Sequence, residues 1–104
     1  MNEITKYADF EVNIGKTVKI IGTIAKEIWQ HFTILVDTYP YMNYFNLEDD
    51  YQIVIYTKEP ISCERRAEII GKLIKAEYER PNPRSKINDK SFEYQVLVNS
   101  WNCL

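Results

Sequence analysis

Between Lys16 and Ile24 the chain alternates so regularly that little freedom is left: Val18, Ile20, Gly22 and Ile24 fall on one side, Thr17, Lys19, Ile21 and Thr23 on the other. A period of two marks a strand with one face on a core. A glycine in mid-strand lets the backbone coil or bulge with no side chain in the way. The same period returns further on. Asn43 to Leu47 and Tyr51 to Thr57 flank Glu48-Asp49-Asp50, which reads as a β-hairpin with a short charged turn. Lys72 to Tyr78 alternates again, with Ile74, Ala76 and Tyr78 on one side. Phe92 to Trp101 forms a last strand with Tyr94, Val96 and Val98 as its inner row.

The segments between these strands are more varied. Pro60 stops the third strand, and Ser62 followed by Cys63-Glu64-Arg65-Arg66-Ala67-Glu68-Ile69-Ile70 and Gly71 offers an N-cap, helix formers and a terminal glycine, so one short helix is expected over 63–70. Arg80 to Lys90 is a loop, because Pro81 and Pro83 deny both helix and ladder. From Ile28 to Tyr41 two readings stand: Phe32 to Val36 suits a strand, whereas Asp37-Thr38-Tyr39-Pro40 suits a turn, so 29–41 is either a long connecting loop or the second strand. Residues 1–14 combine a helical turn with an extended lead-in. A faint echo links Ile14-Gly15-Lys16-Thr17-Val18-Lys19 to Ile70-Gly71-Lys72-Leu73-Ile74-Lys75, each read as a glycine corner opening a strand.

A chain of 104 residues has room for one domain, 1–104, and 45% hydrophobic residues supply its core. The 13 Lys and Arg nearly balance 15 Asp and Glu, unlike a disordered chain. No window approaches 18 uncharged apolar residues, and Met1 to Phe10 carries Glu3, Lys6 and Asp9 without a leader's apolar run. The expectation is a soluble, cytoplasmic protein without a membrane partner. Cys63 and Cys103 lack any metal-ligand or CxxC spacing and are read first as two reduced structural thiols, with a disulfide or a reactive Cys103 as the alternatives.

The order strand, hairpin, short helix, strand, basic loop, strand is similar to that of an OB barrel. Gly15-Lys16-x-Val18-x-Ile20-x-Gly22-x-Ile24 resembles the first strand of OB domains of the tRNA-anticodon-binding and single-strand-binding type. Tyr44-Phe45-Asn46-Leu47-Glu48-Asp49 with Gln52-Ile53-Val54-Ile55-Tyr56 resembles their second and third strands, and Gly71-Lys72-Leu73-Ile74-Lys75 their fourth. The resemblance covers residues 15–101. It implies an all-β fold with one short helix, a five-stranded Greek-key OB barrel, and a function in binding.

Catalysis finds no support in the residue inventory. His31 beside Phe32 has no Ser or Cys partner at a recognisable spacing and reads as a solvated side chain. Glu48-Asp49-Asp50 lacks the surroundings of a calcium loop. No catalytic residue, metal or cofactor is expected. Binding is better founded. Five of the eight tyrosines fall between Tyr39 and Tyr56. With Phe45, Leu47, Ile53 and Ile55 turned inward, Tyr44, Asn46, Gln52, Val54 and Tyr56 turn outward. Tyr44 and Tyr56 would then form a platform for stacked bases, with Tyr39 and Tyr41 beside it.

Charge is distributed unevenly. Residues 1–57 hold four basic and eight acidic side chains, residues 58–104 nine and seven, so the second half is where an anionic partner would be met. Lys58, Arg80, Arg84 and Lys86 are the candidate phosphate contacts. Two functions therefore stand: single-stranded DNA or RNA binding through strands two and three and the 80–90 loop, or a protein-interaction OB domain serving as accessory subunit of a larger complex, which the acidic first half favours.

Overall fold

A computed structural model describes residues 2–26, 38–80 and 89–104, with side chains at 78–80 and 89–91 left aside. Six strands run in chain order: β1 (Asn2–Ile4), β2 (Thr17–Ile24), β3 (Tyr41–Leu47), β4 (Gln52–Thr57), β5 (Arg66–Arg80) and β6 (Asp89–Cys103). Their order β2-β3-β4-β6-β5 closes on itself because β5 also pairs with β2. The result is a closed five-stranded mixed β-barrel with β1 as an extra strand, parallel to β2, and it is compatible with an OB-like fold. Within the barrel itself pairing is antiparallel except where β4 and β6 run parallel, the consequence of a connection, 58–65, that carries the chain past β6 to reach β5.

The alternation in β2 has the consequence expected of it. Val18 and Ile20 are fully buried, and they join Phe45, Leu47, Ile53, Ile55, Ile69, Leu73, Tyr94, Val96 and Val98 in one core. Barrel closure forces two strand pairs into close approach. A Cβ on Gly22 would strike the carbonyl oxygen of Asn46 and the Phe45 ring, and one on Gly71 the carbonyl oxygen of Leu97. Backbone lies in the way at both places, so no side-chain rotation relieves the clash.

Gly71 is thus not the stop of a helix. The helix expected over 63–70 is absent: residues from Arg66 onward belong to β5, paired with β2 from Thr23↔Arg66 to Thr17↔Lys72. Ala67 and Ile69 are fully buried while Arg66 is exposed and Glu68 half-buried, a period of two that prevails over helix-forming composition. The echo between the two glycine hexamers is likewise reinterpreted. Gly15-Lys16 precedes a strand, but Gly71-Lys72 lies inside one, and the two segments are antiparallel neighbours (Val18↔Gly71). Among the described residues, helical turns lie instead near the start, as two 3-10 turns at Tyr7–Asp9 and Glu11–Asn13.

These turns close one end of the barrel. Phe10 is fully buried and stacks on Tyr94 with ring centroids 4.7 Å apart. Tyr7 packs on Tyr51 at 4.6 Å. The hairpin turn after β3 holds the plug in place, since the Tyr7 amide donates to Asp49 Oδ2 at 3.0 Å. The Tyr94 hydroxyl donates to the Glu11 carboxylate, and Lys75 Nζ lies 3.5 Å from Glu11 Oε1.

The opposite end is fastened covalently. Cys63 and Cys103 form a disulfide with Cα atoms 5.4 Å apart, the alternative to the first reading of two reduced thiols. Residues forty apart in sequence are brought together because the connection 58–65 passes over the end of β6. A disulfide is the form of an oxidising setting and does not support the cytoplasmic expectation. Its loop length corresponds to about 4 kcal/mol of loop entropy removed from the unfolded chain. The neighbouring Arg66–Glu48 ion pair, with both side chains more than half exposed, is worth at most about 1 kcal/mol. The attachment of the connection 58–65 therefore rests more on the covalent bond than on this ion pair. Among the described residues, no helix is long and apolar enough to cross a membrane.

Two outcomes test this fold. Gly22→Ala and Gly71→Ala should each lower unfolding free energy by about 1–3 kcal/mol or more in urea titrations, the cost of forcing an extra group into a filled space. Stability should also fall at both extremes of pH. The Tyr94 hydrogen bond holds the Glu11 carboxyl below its usual range, so Glu11 contributes stability that is complete above about pH 4.5 and is lost as pH falls through the lowered value. Burial, reinforced by Glu11, pushes the Tyr94 phenol up, so its contribution is present below about pH 10 and lost as pH rises. Urea midpoints across pH should show a smaller acid limb in Glu11→Gln and a smaller alkaline limb in Tyr94→Phe.

Candidate functional site

The expected platform of Tyr44 and Tyr56 is changed by burial. Register confirms the orientation: Tyr44 faces Val54, Met42 faces Tyr56, and Asn46 faces Gln52 across the β3–β4 pair, while Ile53 and Ile55 belong to the core. Yet every residue of β4 is buried, Tyr56 being only 2% exposed. Its hydroxyl donates to Gln95 Oε1 at 2.8 Å, and Gln52 Nε2 donates to Asn46 Oδ1 at 3.0 Å. A ring enclosed in this way offers no face to a base, so Tyr56 acts in the packing of the outer sheet face. Tyr44 is half-buried beside it.

A different group of the nominated residues comes together at the end of this sheet. Tyr39 sits just before β3, and its ring carries the Lys58 ammonium 5.3 Å from the centroid. Its hydroxyl donates to Asn99 Oδ1 at 3.1 Å. Tyr41, 43% exposed, starts β3 opposite Thr57. Lys58 follows directly on β4, whose unbroken burial ends at Thr57, where the side-chain hydroxyl donates to the Glu59 carbonyl at 2.6 Å and turns the chain away. Beside this group opens a cavity of about 450 Å³, walled on one side by Thr57, Lys58 and Glu59 and on the other by Val98 to Trp101.

Asn99 and Trp101 are the residues that sequence reasoning missed. Extending the inner row Tyr94, Val96, Val98 would place Ser100 inward and Trp101 outward. The register breaks between Ile70↔Ser100 and Gly71↔Val98, so Asn99 is an extra residue in β6. A bulge of one residue reverses every later side chain. Ser100 becomes exposed, Trp101 packs half-buried against the core opposite Ile69, and Asn99 is left to reach Tyr39. Gly71 faces the bulge, the one place where its close approach to Leu97 is allowed. The signal available in the sequence was Gly71 itself.

A second cavity of about 450 Å³ lies among Thr23, Ile24, Lys26, Asn46, Glu64 and Arg65. Arg80 closes β5 and its side chain is not described. Arg84, Lys86 and His31 lie outside the described residues. Among the described residues, no group of three His, Cys, Asp or Glu side chains is placed to hold a metal ion.

Compared with protein-family models, with curated proteins and with solved structures, the chain finds no match.

The burial of Tyr56 has a direct consequence. Tyr56→Phe should cost about 1–3 kcal/mol of stability, because the hydrogen bond to Gln95 disappears from a site that water does not reach. Urea unfolding measures the loss.

Proposed function

We propose that this chain is a non-catalytic binding module of the OB type that takes a single strand of nucleic acid at the end of β3 and β4. The observation that carries the reading is the cluster Tyr39, Lys58 and Asn99 beside a cavity that Lys58, Asn99 and Trp101 help to line. An aromatic face for a base, an ammonium for a phosphate and an amide with donors for a base edge are the three groups that single-strand recognition uses. Tyr41 extends the aromatic surface at the start of β3. The OB-like strand order adds to the reading, since barrels of this kind bind strands across the same two-strand face. The 80–90 loop, with Arg80, Arg84 and Lys86, is a proposed source of further phosphate contacts.

A second reading, a protein-interaction surface, is favoured by one observation. Tyr41 and Met42, at the start of β3, are 43% and 40% exposed, apolar surface on a chain of net charge −2. Salt separates the two, because phosphate contacts weaken steeply as salt rises.

The test is titration of labelled oligo-dT and oligo-rU at two salt concentrations. Tyr39→Ala should weaken binding about 5- to 150-fold, the worth of one stacked base. Lys58→Ala should reduce the salt slope by about one, because one phosphate fewer is neutralised and one counterion fewer released. Absence of wild-type binding at low salt overturns the nucleic-acid reading.

A further inference from the structure

The disulfide lies within a few residues of both walls of the cavity. One wall, Lys58 and Glu59, begins the connection 58–65 that carries Cys63; the other, Val98 to Trp101, leads two residues later to Cys103. Apart from this bond the connection is lightly held. Its residues make no backbone–backbone hydrogen bond to another described residue, and its further anchors include the Thr57 hydroxyl on Glu59, the Lys58 ammonium over the Tyr39 ring and the side chain of Ile61, 8% exposed in the core. Its far end, Glu64 and Arg65, lines the second cavity. One covalent bond therefore fixes the span that borders both cavities.

We propose that Cys63–Cys103 is a redox latch for the candidate site: oxidised, it holds the connection against the end of β6 and keeps Lys58 over Tyr39; reduced, it lets the connection swing and the cavity open. The regulatory part rests on the binding reading above, whereas the latch itself rests on the geometry alone. Cys103 is exposed and Cys63 half-buried, so the accessible sulfur is that of Cys103. A dithiol reductant attacks Cys103 Sγ through its thiolate and displaces Cys63 as the leaving thiolate. The reductant's second thiol then resolves the mixed disulfide, leaving it as a cyclic disulfide. Two electrons pass to the protein, and with two protons taken up both cysteines end as thiols.

The reduced state keeps its barrel. The β2–β5 and β5–β6 ladders run through seven and fourteen register pairs, and of these only the terminal pair, Ala67↔Cys103, includes a cysteine of the disulfide. Only the connection loses its fastening.

Three measurements on oxidised and dithiothreitol-reduced protein decide the matter, with Cys63→Ser/Cys103→Ser as a second form of the open state. Tryptic cleavage at Lys58 and Arg65 should quicken about tenfold or more on reduction while backbone hydrogen exchange in β2, β4 and β6 stays slow. In a Trp29→Phe background, emission from Trp101 should shift to longer wavelength as its cavity wall moves away. Affinity for oligo-dT should fall about tenfold as the preorganised pair of Lys58 and Tyr39 is lost. Unchanged cleavage within 58–65 overturns the latch, and so does loss of exchange protection throughout the barrel, which would make the disulfide a plain structural staple. Faster cleavage with unaltered affinity overturns its control of the site. Absence of oligonucleotide binding in both states, with cleavage and emission responding as expected, overturns the nucleic-acid reading and supports the latch.

Discussion

Closure of the sheet through β2 and β5 is the constraint on which everything else in this molecule depends. β2 must present one edge to β1 and β3 and the other to β5, and a strand can serve both only if it coils sharply. The coil brings backbone against backbone, and glycine stands at the two points of closest approach, Gly22 against β3 and Gly71 against β6. Without closure the core row of Val18, Ile20, Ile69 and Leu73 would face water, and the outer face of β4 would have no continuous sheet around it.

The two ends of the barrel are sealed by different physics. At one end, aromatic packing does it: Phe10 on Tyr94 and Tyr7 on Tyr51, fixed by backbone and carboxylate hydrogen bonds to Asp49 and Glu11. Large rings bury much area with few rotatable bonds, which suits a plug made from a short, irregular segment. At the other end the connection 58–65 has little apolar surface besides Ile61 and is held by a covalent bond instead. The candidate site lies at this second end. A site bordered by a lightly packed span gains adaptability, and the rigid bulged strand β6 opposite it supplies a fixed wall.

The bulge at Asn99 shows how closely site and fold are joined. It arises at Gly71, where β5 and β6 approach closely, and it sends Asn99 to the Tyr39 hydroxyl while turning Trp101 inward. The same backbone feature that relieves crowding in the closed barrel thus sets two of the side chains around the cavity.

Much of this was legible in the amino-acid order alone. The alternation Val18, Ile20, Gly22, Ile24, the hairpin about Glu48-Asp49-Asp50 and the inner row Tyr94, Val96, Val98 specify strands and their buried faces, because period-two burial is a local property that each residue records for itself. Tyr39, Tyr41 and Lys58 were identifiable as binding candidates from residue type and their place around the hairpin. Other features depend on contacts between segments distant in sequence. Residues 66–70 have the composition of a helix and become strand because β2 and β6 offer two ladders at once. Tyr56 points outward as its parity requires, yet is buried. Cys63 and Cys103 pair because the connection crosses the end of β6. Asn99 and Trp101 join the site because one extra residue is accommodated opposite Gly71. Each of these outcomes is set by how the barrel closes, and closure is a property of the whole chain that no local pattern encodes.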